Sequence, residues 1–242
     1  MRKINILLKV SLCLLVFILV SLVFVKKDAK ALSQSLLEKR YINSYDAGWC
    51  YSSQRYHMDK VETNYYIYSE KNRAKYKSYF EKGVEHWKGN VVVKYTEKGV
   101  GYINGEYNDE EYVAYAKVSG NSAGITTQWF IMVNDKYFET LDSFCKSETM
   151  VHELGHVYGL GDLYRDADWQ NVMYYRSNPV KGVTSADIIG MKVMTGQHRH
   201  SANCSRRYEM INTDIHKAIC MECKSYILEE HTHYSYCEKC SY

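Results

Sequence analysis

His152-Glu153-Leu154-Gly155-His156-Val157-Tyr158-Gly159-Leu160-Gly161-Asp162 is the stretch that decides how the rest of the chain is read. Residues four apart share one face of an α-helix, so a helix here points the imidazoles of His152 and His156 at one metal ion. Glu153 follows the first ligand, where its carboxylate can reach a metal-bound water and act as its base. Asp162 offers a third ligand, but only if the helix stops and the chain doubles back. Gly159 is placed to stop it, because glycine accepts the left-handed backbone of a helix end cheaply. Two imidazoles plus one carboxylate is a ligand set that supports hydrolysis by zinc. The bland alternative, a surface helix with two unrelated histidines, leaves Gly159 and Asp162 without a reason.

A second stretch, Asn171-Val172-Met173-Tyr174-Tyr175, follows at short range. Together the two resemble the metzincin metallopeptidases, in the snapalysin-like form whose motif H-E-x-x-H-x-x-G-x-x-D ends in Asp. The resemblance implies a catalytic zinc on His152, His156 and Asp162, with Glu153 as general base. It also implies a Met-turn, with Met173 as an apolar floor beneath the metal. Tyr175 would then bind zinc or donate to the developing oxyanion. With Asp162 in place of a third imidazole the site is one unit less positive, so its water is less acidic and Glu153 matters more.

Around this centre the chain of 242 residues holds one solid domain plus extras. A net charge of +3 gives no field that argues for nucleic acid, and 24% charged with 46% hydrophobic residues is a globular balance. The start reads as an export signal: Arg2 and Lys3, an uncharged apolar run over 10–25, then Ala29-Lys30-Ala31 as a cleavage site. We take 1–31 as a signal peptide, with an uncut signal anchor as the alternative. Either places the remainder outside the cytoplasm, secreted or held at the outer face of the membrane. Residues 32–60 form a polar N-terminal segment too short for an inhibitory prodomain.

The pattern becomes regular from 61. Strand-forming runs lie at 61–69, 91–95, 112–118 and 128–133, and a helix is predicted over 73–88. Gly101 and Gly105 read as turns. A zinc helix starting near Ser143 or Ser147, with Ser147-Glu148 as its cap, and a last helix over 183–196 capped by Thr184 or Ser185 complete the order. The expected class is α+β: in the terms of the resemblance, a metzincin-like domain over 61–198 with a twisted mixed sheet and long helices. The resemblance is strong at 152–162 and loose elsewhere. In that family an edge strand pairs with extended substrate, a role open to 128–134. The matrixin calcium loop is not recognisable between 119 and 135, so calcium is not expected. Outside the cytoplasm Cys50 and Cys145 form a candidate disulfide.

Residues 199–242 make a Cys/His-rich module. Cys220-x-x-Cys223 and Cys237-x-x-Cys240 have the spacing of a structural zinc site, with His198, His200, Cys204, His216, His231 and His233 as further donors. Disulfides remain the alternative in an exported chain. A segment this small needs one staple or the other. It resembles modules appended to bacterial surface proteins, which implies attachment to a cell surface or wall. The functional expectation is a secreted zinc endopeptidase acting on protein or peptide substrates. The rival readings are a surface binding module with a structural zinc, and a zinc amidase acting on cell-wall peptides.

Overall fold

The computed structural model describes residues 47–54, 56–175, 182–198, 200, 205–212 and 215–230. The expected export segment at 1–31, and Cys204, His231, His233, Cys237 and Cys240, lie outside these residues. Among the described residues no helix is long and apolar enough to cross a membrane.

The chain is α+β, with a five-stranded mixed sheet and a separate three-stranded one. In chain order the first sheet contains β1 (Glu62–Ile67), β2 (Val92–Tyr95), β3 (Gly101–Glu106), β4 (Ala114–Gly120) and β5 (Thr126–Asn134). Its order is β2-β1-β3-β5-β4, parallel throughout except for the antiparallel β4–β5 pair. The helices are α1 (Arg73–His86), the short α2 (Asp135–Phe138), α3 (Ser143–Tyr158) and α4 (Ser185–Met194). The second sheet is antiparallel and holds β6 (Arg206–Met210), β7 (Ile215–Cys220) and β8 (Tyr226–Glu230) in that order.

Burial explains the packing. On α1, Tyr76, Phe80 and Gly83 form a buried stripe at the three- and four-residue spacing of one helix face. Phe80 packs on Tyr65 of β1 and stacks on Trp129 of β5, and both partners are essentially inaccessible. Trp129 Nε1 donates to Thr63 Oγ1 at 3.2 Å, which satisfies the indole in the core. Across the sheet an aromatic ladder runs Tyr66, Tyr102, Phe130 and Tyr115, one from each of β1, β3, β5 and β4. Part of the chain's tyrosine richness is this cross-strand stacking.

Several expectations are corrected. Gly101 and Gly105 are not turns; they begin and nearly end β3, a central strand. A Cβ on Gly101 would lie 1.9 Å from the Trp129 ring, and one on Gly105 would lie 1.9 Å from the Tyr76 hydroxyl. The glycines are there because aromatic side chains lie directly on the strand. β5 is interior, so the edges of the sheet are β2 and β4 and not 128–134. Helix α3 starts at Ser143 under Asp142, whose carboxylate accepts from Cys145 N at 2.7 Å. Ser147 instead bonds back to the Ser143 carbonyl inside the helix, and Glu148 is buried beside His86. Cys50 and Cys145 are free thiols; Cys50 Sγ donates to the Asp162 carbonyl at 3.2 Å.

Residues 47–54 and 56–60 are woven into the same body. Trp49 is fully buried. Ser52 N donates to Gly159 O, and Gly161 N to Cys50 O, both at 2.8 Å, so residues 50–52 run antiparallel to the turn that follows α3.

Candidate metal centre

Helix α3 carries His152 and His156 on one face, their rings 4.6 Å apart and nearly perpendicular. Each ring is fixed by a backbone oxygen: His152 Nδ1 lies 2.8 Å from Val172 O, and His156 Nδ1 lies 2.9 Å from Leu160 O. A carbonyl can only accept, so both protons sit on Nδ1 and both Nε2 atoms of the neutral rings are bare. These bare nitrogens converge on Asp162 Oδ1, at 3.2 Å from His152 and 3.5 Å from His156.

The turn is built as the spacing predicts. Gly159 caps α3 with φ 113°, and its N–H bonds back to Gly155 O and His156 O. The next residues bring Asp162 over the helix. Zinc–nitrogen and zinc–oxygen bonds of about 2.0–2.1 Å at a tetrahedral angle separate the donor atoms by about 3.3 Å. The observed 3.2 and 3.5 Å match, and the longer is outside the usual N–H···O range. The donor set and its spacing therefore fit a zinc ion.

Without metal the cluster has to hold protons instead. Burial opposes charge on His156, but hydrogen bonding to Asp162 and the nearby carboxylates of Glu153 and Asp162 outweigh it and raise its pKa to about 9. Burial likewise works to raise Asp162, yet hydrogen bonds from both histidines hold its carboxyl well below the usual range.

Met173 is fully buried against α3. A Cβ on Gly155 would meet its Sδ at 2.2 Å, so the glycine makes room for the methionine within the helical turn that joins the two histidines. The Met173 segment is tied to both sides of the site. Val172 O holds His152, while Leu163 N donates to Met173 O and Tyr175 N to Leu163 O. Asp187, inside the capping box of α4, accepts from Val172 N at 3.1 Å and so anchors this turn from below.

Glu153 is buried, and its Oε2 has no hydrogen-bond partner. It lines a cavity of about 930 Å³ together with His152, His156 and Asp162. One wall is Tyr112 to Ala116, which includes the start of edge strand β4. Tyr175 also lines the cavity, 40% exposed, with its ring packed on Tyr164 and Tyr174. Tyr164, which the sequence did not single out, also reaches the centre, its hydroxyl 3.5 Å from Asp162 Oδ2. Two other contributors are not marked as part of the site by the sequence, which offers Cys50 only as a disulfide candidate. Cys50 buttresses the Asp162 turn, and its thiol is pushed up to about 12, by burial first and by the Asp162 charge second. The carbonyls of Val172 and Leu160 belong to the backbone and leave no mark on residue type.

A second group of donors lies outside this cavity. His198, His200, Cys220 and Cys223 are all buried, and each offers an atom within 4.8 Å of the others. They are chemically able to hold a metal. Of the four thiolates suggested by sequence, the structure brings Cys220 and Cys223 together with two histidines. His216 is not in the group; its Nε2 meets Glu229 Oε2 at 3.3 Å.

No protein-family model matches the chain, and no curated protein matches it.

Proposed function

We propose that the protein is a zinc-dependent endopeptidase of metzincin type, exported from the cell, that cleaves protein or peptide substrates. The observation that carries this reading is the convergence of two bare imidazole nitrogens and the Asp162 carboxylate in an open cavity, beside a buried carboxylate oxygen with no partner. A structural metal site needs no such base and no such cavity. A bound zinc ion supplies Lewis acidity, polarising the scissile carbonyl and making water acidic.

This chain's own residues do the rest. Glu153 accepts the proton of the attacking water and passes it to the leaving amine. Its exclusion from solvent keeps the carboxylate aimed, since it has no competing donor. The outer edge of β4 is positioned to take an extended peptide as an added strand, holding the scissile bond over the centre. Tyr175 borders the cavity as the candidate donor to the tetrahedral oxyanion. The carbonyls of Val172 and Leu160 hold the rings in the ligating tautomer.

The test is a mass-spectrometric cleavage profile on a mixed peptide library, with wall-peptide substrates alongside, run with and without chelator. We expect chelator-sensitive internal cleavage of the protein-derived peptides. Cleavage confined to wall peptides would reassign the bond class, and chelator-insensitive or absent cleavage would remove the peptidase reading.

A further inference from the structure

The four donors beneath the second sheet have no part in the chemistry above, and they are not arranged like a surface cluster. Cys220 ends β7 and Cys223 lies in the turn that leads to β8. That turn is closed by Cys220 N to Ser225 O and Lys224 N to Cys220 O, both at 2.9 Å, with Lys224 in the left-handed region at φ 64°. His198 and His200 come from the chain leaving α4, where His198 N bonds back to Lys192 O at 2.9 Å. The two rings are 4.9 Å apart and nearly perpendicular, the same relation as in the candidate catalytic pair.

We propose that these four residues hold a structural zinc ion, and that this ion locks residues 49–52 against the turn carrying Asp162. Three observations support the ligand set. First, zinc–sulfur bonds of about 2.3 Å and zinc–nitrogen bonds of about 2.0–2.1 Å at a tetrahedral angle separate S from N by about 3.6 Å. Cys220 Sγ lies 3.4 Å from His198 Nε2, and Cys223 Sγ lies 3.6 Å from His200 Nε2. Second, His198 Nδ1 pairs with Glu222 Oε2 at 2.8 Å, which leaves Nε2 facing the sulfur, as in carboxylate–histidine–zinc triads. Third, the site is closed: both cysteines and His200 are inaccessible and His198 is 6% exposed. Two thiolates and two imidazoles, with no position open to water, are the donor set of a structural zinc site.

The physical need is also present. A three-stranded sheet this short cannot bury a sufficient core of its own, so a metal substitutes for one. The ion joins β7 and β8 to the segment after α4. The link then continues to the candidate centre. Trp49 Nε1 donates to Cys223 O at 2.9 Å, and Trp49 packs on Gly190 of α4, where a Cβ would lie 2.9 Å from it. The residues following Trp49 hold Gly159, Gly161 and Asp162 through the bonds already described. This coupling rests on the reading of Asp162 as a ligand; the second ligand set does not.

Cobalt(II) loading of the purified protein tests both parts. We expect two equivalents in the wild type, with a thiolate-to-cobalt charge-transfer band in the near ultraviolet. The His152→Ala/His156→Ala variant should take one equivalent and keep that band. Absence of the band from the wild type overturns the site, as does recovery of Cys220 and Cys223 as a disulfide from protein denatured under alkylation. A band surviving at full intensity in His198→Ala/His200→Ala overturns the ligand set. The coupling is read in the His152→Ala/His156→Ala variant, where only the second site fills. Metal is expected to slow hydrogen exchange at the amides of Ser52 and Gly161 by at least about tenfold, and unchanged exchange there overturns the coupling. None of these readouts uses peptide cleavage, so they stand or fall apart from the peptidase reading.

Discussion

Both imidazoles of the candidate centre take their direction from backbone oxygens, and this sets what single substitutions should do. Glu153→Gln keeps the shape but removes the base, so kcat/KM should fall by about 10²–10⁴-fold, with zinc content by mass spectrometry unchanged. Undiminished turnover would take Glu153 out of the reaction. The protonation of the metal-free cluster gives a second test. His156 is raised from 6.5 to about 9, so its contribution to stability is full below 6.5 and is lost as pH rises through about 9. Asp162 is lowered from 3.8, so its contribution is present above that value and is lost as pH falls through its depressed folded pKa. Melting curves of chelator-treated protein should therefore lose stability towards alkaline pH, and zinc should abolish that loss by taking the place of the proton. At this scale the sequence named the side chains that converge at the candidate centre, His152, His156 and Asp162, with Glu153 beside them, but not the Tyr164 hydroxyl or the Cys50 thiol. It said nothing of the carbonyls that aim the imidazoles, because every residue type has one.

At the scale of elements the decisive contacts are close approaches. Gly101→Ala would drive a methyl into the Trp129 ring at 1.9 Å, so urea denaturation should show a loss of about 1–3 kcal/mol or more. The same change at Gly155, where Met173 Sδ lies 2.2 Å away, should cost stability and also lower zinc affinity, because it shifts the helix bearing both histidines. Thr184→Ala removes one half of the α4 capping box and should cost about 1 kcal/mol. Helix periods and strand runs located α1, α3, α4 and four strands of the first sheet to within a few residues. The missed strand, β3, is informative. Its glycines match a turn by local chemistry, and what puts them in a strand is a tryptophan and a tyrosine from other elements. The cap of α3 was missed for a different reason: Asp142 and Ser147 are both good caps in isolation, and only burial of the face holding Ser147 and Glu148 separates them. Strand order, which makes β2 and β4 the edges, depends on pairings between distant segments that local patterns do not encode.

Across the whole molecule, three distant stretches of chain meet around Trp49, and each has a role at one or both donor clusters. Trp49→Phe keeps an aromatic ring in the core, at the cost of a small cavity, and removes the 2.9 Å bond to Cys223 O. We expect it to leave the fold intact by circular dichroism and to weaken zinc binding at the Asp162 centre by about tenfold, as loss of an outer-shell partner does; competition with a fluorescent chelator measures this. The sequence divided these regions into an N-terminal segment, a peptidase-like domain and a terminal module because their compositions differ. Composition is local, whereas the bond from Trp49 spans 174 positions. His198 and His200 were legible as donors, but the regular spacing of the two C-x-x-C pairs favours a four-cysteine set over the pairing of two cysteines with these histidines.

That bond also orders events during biosynthesis. A ribosome or an export channel delivers the chain from its N-terminus, so the helix with both histidines is complete while the partner of Trp49 is still unmade. Until residue 223 emerges, the strap that steadies the aspartate lacks its Trp49 anchor, and contacts of such long reach are the slowest to form. On the reading of an exported peptidase proposed above, a centre that depends on residue 223 stays incomplete until that residue has been delivered.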